Sequence, residues 1–304
     1  STSPAQAEPD IETVQARVNK LLHEAEQASE RYNDVKINLD TLNDELTSLK
    51  ADESRQGDSL DGVRADVRAS IITQNQAGSL GPAGKLLSAD ASGFLDELST
   101  RSTIDSIQGS LLSDYGKELK AYTIRKDQTK DRRDSIATLE KKLSSEKKTA
   151  DSKLAQAKSL LSKLEAEERE AILSRSGSDR APAMGSISAS GRAAVAIKYA
   201  LAQVGDSYVY GAAGPNAFDC SGLTMMAWGQ AGVGLPHSSR AQASGTQVAK
   251  SDLKPGDLVF YYSPISHVGI YLGNGLIVHA ANPGAGVKVS DVNEMPYSGA
   301  VRPG

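Results

Sequence analysis

The sequence predicts a chain of two unlike parts, an all-α antiparallel coiled-coil hairpin over residues 1–175 and an α+β domain over residues 191–304. Three observations carry this. Residues 1–180 hold 27 of the 34 Lys and Arg and 32 of the 38 Asp and Glu, whereas ten of the fourteen aromatic residues follow residue 190. Apolar residues of the first part recur at alternating spacings of three and four, the heptad seam of a coiled coil. Those of the last part alternate strictly, as in a strand with one buried face.

The first seam runs through Val14, Val18, Leu21, Ala25, Ala28, Tyr32, Val35, Leu39, Leu42, Leu46 and Leu49, then resumes at Leu60, Val63 and Val67. It predicts one helix from about residue 10 to about residue 75, with a weak point near Gly57. Between residues 76 and 109 the pattern disappears among Gly78, Gly81, Pro82, Gly84 and Gly93, a tip with a short helix through Phe94, Leu95 and Leu98. A second seam follows through Tyr122, Ile136, Leu139, Leu143, Ala150, Leu154, Ala157, Leu161, Leu164 and Ala171, interrupted by polar residues between Arg125 and Arg132. Charged residues beside both seams read as solvated flanks, and His23, two positions past Leu21, reads as solvated too. Residues 176–190, rich in Ser, Gly and Pro, read as a flexible linker.

In the C-terminal part, Ala193 to Gln203 form an apolar helical segment and a second helix begins near Cys220. Lys254-Pro255-Gly256-Asp257 turns into a strand from Leu258 to Tyr262. In the hairpin that follows, Val268, Ile270, Leu272, Leu276, Val278 and Ala280 share one face, while His267, Tyr271 and His279 share the other. Paired residues then have the same parity, which a three-residue Gly273-Asn274-Gly275 loop provides and a two-residue turn does not. His267 falls opposite Ala281 and diagonal to His279, about 7 Å away at the ring bases.

Cys220 is the sole cysteine, so an intramolecular disulfide is excluded and packing, metal binding or reactivity remain. A helix N-terminus and a nearby imidazole both lower a thiol pKa, and this cysteine has both available. With His267 as base and His279 orienting it, the set has the logic of a cysteine peptidase. Cys220, His267 and His279 also make a conceivable zinc site of the hydrolytic type. Asp219 suits an N-cap or a contact to a substrate amine or amide, and Tyr208 a core anchor; Ser221, Ser266, His237, Ser238 and Arg240 are candidates to line a cleft.

Four segments in order, Tyr208-Val209-Tyr210-Gly211, Phe218-Asp219-Cys220-Ser221-Gly222-Leu223, Gly256-Asp257-Leu258-Val259-Phe260 and Ser266-His267-Val268-Gly269-Ile270-Tyr271-Leu272-Gly273, resemble the NlpC family of papain-like cell-wall peptidases. The resemblance spans roughly residues 190–304. It implies a papain-like fold, Cys220 as nucleophile, His267 as base, His279 as third polar residue and no cofactor. It also implies γ-D-glutamyl to diaminopimelate bonds of peptidoglycan stem peptides as substrate, with Tyr208 helping to hold the oxyanion. The order of parts is similar to that of the actinobacterial Rip-type hydrolases, implying that the coiled coil regulates or positions the peptidase and docks on a transporter-like division complex in the membrane. The rival reading is an interaction protein of the division machinery with a silenced peptidase domain.

The net charge of -4 is mixed in sign and provides no footprint for nucleic acid. No run approaches the roughly 18 apolar residues of a membrane span. The start at Ser1-Thr2-Ser3-Pro4-Ala5 suits a mature form after signal-peptide removal, hence an expected secreted or cell-envelope location.

Overall fold

The computed structural model describes residues 11–74, 109–164, 166, 169 and 186–304. Two compact units emerge, Ser1–Asn38 with Glu140–Gly304, and Leu39–Leu139. The expected tip at 76–109, with Phe94, Leu95 and Leu98, lies outside the described residues apart from Gly109, as do Ala171 and most of the 176–190 segment.

Helix α1 (Ile11–Gln74) and helix α2 (Gly109–Leu161) follow the two seams. In the Leu39–Leu139 unit, Leu60, Val67, Tyr115 and Ile136 are buried. Glu45 pairs with Arg132 at 2.6 Å, and Gln56 and Ser59 reach Glu118. Numbers rise on one helix as they fall on the other, so the two run antiparallel. Across the polar interruption the helices are joined by the Glu45–Arg132 pair, while Thr129 is buried with its hydroxyl turned back to the Arg125 carbonyl of its own helix. Helix α1 continues through Gly57, as expected, and a Cβ there would make only an ordinary van der Waals contact, 3.5 Å from the Tyr122 ring.

In the other unit, Val14, Val18, Leu21 and Leu22 pack with Leu154, Ala157, Leu160 and Leu161, flanked by the ion pairs Glu24–Lys153 and Arg31–Glu146. Its C-terminal portion contains helices α3 (Gly191–Ala202), α4 (Cys220–Gln230) and α5 (Ser239–Gln242). A short parallel pair, β1 (Ser207–Tyr208) and β2 (Ala217–Phe218), stands apart from a six-stranded antiparallel sheet. That sheet is ordered β3 (Thr246–Gln247), β8 (Tyr297–Arg302), β4 (Leu258–Tyr261), β5 (His267–Gly273), β6 (Leu276–Asn282), β7 (Gly286–Asp291). The fold is thus α+β, helices on a small antiparallel sheet preceded by long paired helices.

The alternation in the β5–β6 hairpin decides which side each residue faces. Val268, Ile270, Leu272, Val278 and Ala280 enter the main core with Ala196, Ile197, Leu223, Ala227 and Trp228 of α3 and α4. The opposite face is less polar than expected, since Ile277 joins Val259, Tyr261, Val292 and Ala300 in a second, smaller core. Ile270 pairs with Val278 and Tyr271 with Ile277, preserving parity, but a bulge between Tyr271 and Gly273 achieves this rather than a plain three-residue loop. Asn274 and Gly275, at φ +55° and +76°, form a tight turn; the bulge absorbs the extra residue and returns both histidines to one face. At the end of the expected linker, Ile187 and Ala189 already pack against the main core.

Candidate active site

Helix α4 begins at Cys220, and Asp219 caps it by accepting from the Gly222 N–H at 2.6 Å. Asp219 is buried and also accepts from the Gly211 N–H at 2.8 Å, with His237 Nε2 at 2.8 Å. Gly222 is demanded by space: a Cβ would lie 2.2 Å from the Ala212 carbonyl oxygen. These contacts fix the first turn of α4 and hold the buried Cys220 thiol 3.9 Å from the Ser266 carbonyl oxygen at the start of β5.

The two histidines meet as the hairpin parity requires. His267 Nε2 lies 2.7 Å from His279 Nδ1, the rings edge to face with centroids 5.0 Å apart. His279 Nε2 reaches Ser290 Oγ on β7 at 2.9 Å. Burial, then His267 and Lys288, push the His279 pKa well below the usual imidazole range, which keeps that ring neutral.

His267 Nδ1, the nitrogen left for the thiol, is taken by α1. Glu26 Oε1 lies 2.6 Å from it, and the Tyr208 hydroxyl is 3.5 Å from the same oxygen. One turn on, Glu30 accepts from the Ser221 hydroxyl at 2.7 Å and from both the N–H and hydroxyl of Ser239 at 2.5 Å, while its Oε1 lies 3.7 Å from Cys220 Sγ. Asn33 donates to Asp219 at 3.1 Å, Arg240 pairs with Asp34 at 2.8 Å, the Ser238 hydroxyl also reaches Asp34, and the Tyr210 hydroxyl donates to the Leu22 carbonyl. Of the expected site residues, Cys220, His267, Tyr208, Asp219, Ser221, Ser238 and Arg240 thus meet α1 directly. His279 and His237 stand behind His267 and Asp219. Ser266 presents its carbonyl to the thiol, and its buried hydroxyl finds no hydrogen bond among the described residues.

Electrostatics correct one expectation. Rather than being lowered, the Cys220 pKa is pushed well above its ordinary value by burial and by the carboxylates of Glu30, Glu26 and Asp219; only the Val268 N–H opposes. Burial and the neighbouring Asp219 raise Glu30 to about 7. Burial resists ionisation of Glu26, yet His267 and His23 outweigh it and hold this carboxyl below its usual range. For His237, burial is likewise outweighed by Asp219, which raises the imidazole pKa.

Two further readings change. Glu26, Glu30 and Asn33 are buried, so this stretch of the charged flank is a contact surface rather than solvated. His23 is half-buried with its ring 4.1 Å from that of Tyr262, and both border a cavity of about 510 Å³ that extends past Glu26 to His279, Lys288 and Glu294. The trio Cys220, His267 and His279 does not form a metal cluster either, because His279 turns one nitrogen to His267 and the other to Ser290. Glu26, Glu30, Ser239 and Ser290 escaped the sequence reading. Glu26, Glu30 and Asn33 do recur at spacings of four and three, but any flank of a coiled coil shows the same stripe.

Residues 205–302 match the NlpC/P60 family. This is an NlpC/P60 domain. The family is one of cysteine peptidases, and the Cys220–His267 pair lies inside the matched residues. Over 123 residues the chain is 45% identical to a probable endopeptidase, Cgl2188, of Corynebacterium glutamicum, a stretch covering 40% of this chain and 59% of that protein. Over 102 residues it is 53% identical to the probable endopeptidase Rv2190c of Mycobacterium tuberculosis, covering 33% of this chain and 26% of that protein. The solved NlpC/p60 domain of the peptidoglycan hydrolase SagA is 38% identical, covers 36% of this chain and 97% of that one, and gives a TM-score of 0.34. The chain therefore spans less than two thirds of the length of these curated relatives.

Proposed function

We propose that the chain is a secreted cell-wall cysteine endopeptidase, cutting γ-D-glutamyl to diaminopimelate bonds in peptidoglycan stem peptides and silenced while α1 lies over its thiol. The observation that carries this is the occupation of His267 Nδ1 by Glu26, with Cys220 Sγ in the same cluster. With α1 withdrawn, neutral His279 accepts from His267 Nε2–H, leaving the Nδ1 lone pair to take the thiol proton. The thiolate, steadied by the Val268 N–H, attacks the glutamyl carbonyl carbon. The Cys220 N–H and the Tyr208 hydroxyl are the candidate donors to the oxyanion. His267 then protonates the leaving amine, and water, deprotonated by the same imidazole, hydrolyses the thioester.

The positions held by Glu26 and Glu30 are those of substrate, so Asp219, Ser221, His237 and Arg240 become its contacts once α1 leaves. The coiled coil supplies the surface for an activating partner, a transporter-like division complex in the membrane. Hydrolysis of purified muropeptides is the test. Cys220→Ala or iodoacetamide abolishes it, chelators do not, and a full chain carrying Glu26→Ala with Glu30→Ala exceeds the unsubstituted chain at least about tenfold, the effect of 1.4 kcal/mol of lost cover. Undiminished cleavage by Cys220→Ala overturns the peptidase reading. If the double variant stays as inactive as the parent, the chain is a silenced interaction protein.

A further inference from the structure

Three donor atoms from three separate elements converge where α1 meets the thiol. A Glu26 carboxylate oxygen, Cys220 Sγ and a His267 ring nitrogen all lie within 4.8 Å of one another, and all three residues are buried. The ring nitrogen turned to this cluster is Nδ1, 2.6 Å from Glu26 Oε1, since Nε2 is engaged by His279 at 2.7 Å. That is the usual support of a metal-bound imidazole, whose second nitrogen hands its proton to an acceptor behind it. The acceptor is itself held by Ser290. An ionised sulfur here faces the carboxylates of Glu30, Glu26 and Asp219, a surplus of negative charge that a divalent cation relieves.

Carboxylate, thiolate and imidazole suit zinc at about 2.0 to 2.3 Å, which places tetrahedral ligands roughly 3 to 4 Å apart. Donors already inside 4.8 Å reach that arrangement by small side-chain adjustments. We propose that Glu26, Cys220 and His267 bind one Zn²⁺, or a similar thiophilic divalent ion, and that the site exists only while α1 covers the thiol. It rests on the covered state proposed above and adds an effector to it. Water completes the coordination. Binding forms Zn–S, Zn–N and Zn–O bonds and releases two protons, the thiol proton and the one shared by Glu26 and His267; no atom changes oxidation state. The ion draws a ligand from each side of the contact, so it staples α1 down and competes with substrate. A zinc centre of the hydrolytic kind, with His279 as ligand, has a different ligand set.

Cobalt(II) is the probe, titrated into the reduced full chain and displaced with Zn²⁺. The expected result is one ion per chain with thiolate-to-cobalt charge-transfer absorption. Cys220→Ser removes that absorption, and Glu26→Gln, with its circular dichroism unchanged, weakens binding by more than about tenfold, the least that even an outer-sphere partner costs. Zn²⁺ also slows amide exchange across residues 22–34 of the unsubstituted chain. Absence of the absorption, or equal affinity in Glu26→Gln, overturns the proposal, because the ion would then need only the cysteine and histidine. Muropeptide hydrolysis in chelator separates the two ideas. Activity without a cobalt site sinks the metal alone, and a cobalt site in a chain never active in any variant sinks the peptidase alone.

Discussion

Ser290 terminates the line that begins at the Cys220 thiol and passes through His267 and His279. Its hydroxyl is 2.9 Å from His279 Nε2, and a ring kept neutral by burial and His267 has one proton to place. Placed on Nε2, that proton leaves His279 Nδ1 free to accept from His267, and His267 Nδ1 free for the role of base proposed above. In that proposal Ser290 is a positioning residue. In a chain opened by Glu26→Ala, Ser290→Ala is expected to lower kcat roughly tenfold with KM little changed, and Ser290→Thr to restore it. Steady-state kinetics across pH check this, since a merely structural loss would not be rescued by the hydroxyl. Cys220, His267 and His279 were legible because their relation is local, set by a helix start and by strand parity. Ser290 was not: serine on a strand is unremarkable until β7 is known to lie beside β6.

At the scale of the element, α1 carries two chemistries along one rod, apolar contacts from Val14 to Leu22 and acid contacts from Glu26 to Asp34. The acid contacts make its grip depend on pH. Glu30 has an ordinary value of 4.5 and about 7 when buried, so docking of α1 takes up a proton. Its contribution is full below about 4.5 and is lost as pH rises through about 7. Glu26, shifted the other way, loses its contribution only as pH falls below its ordinary value, and Cys220 matters only at higher pH. His237 faces Asp219 within the NlpC/P60 domain and retains that partner whether or not α1 is docked. The ratio of covered to open chain should therefore fall by up to about tenfold per pH unit between about 4.5 and 7. Amide exchange over residues 22–34, corrected for its intrinsic rate, checks this; Glu30→Gln should flatten the dependence. The helix itself was plain in the heptads, almost to the residue. Its acid stripe was not, because sequence spacing alone cannot tell a carboxylate facing water from one facing a thiol some 190 positions away.

For the whole molecule, the contrast between long charged helices and a small aromatic-rich α+β part was readable from composition. The order of strands in the sheet, which only pairing across distant segments determines, was not. The consequence for activity is directional: residues 181–304 alone, lacking Glu26 and Glu30, should hydrolyse peptidoglycan faster than the full chain. Equal rates would mean that the contacts of α1 with Tyr208, Ser221 and His267 carry no regulation. The solitude of Cys220 gives the molecule one more property. With a single thiol, buried beneath the helix, alkylation reports excursions of α1: while reclosing outpaces labelling, the labelling rate is the intrinsic thiol reactivity multiplied by the fraction of time spent open. The protein carries its own clock for uncovering, readable by intact mass without any substrate.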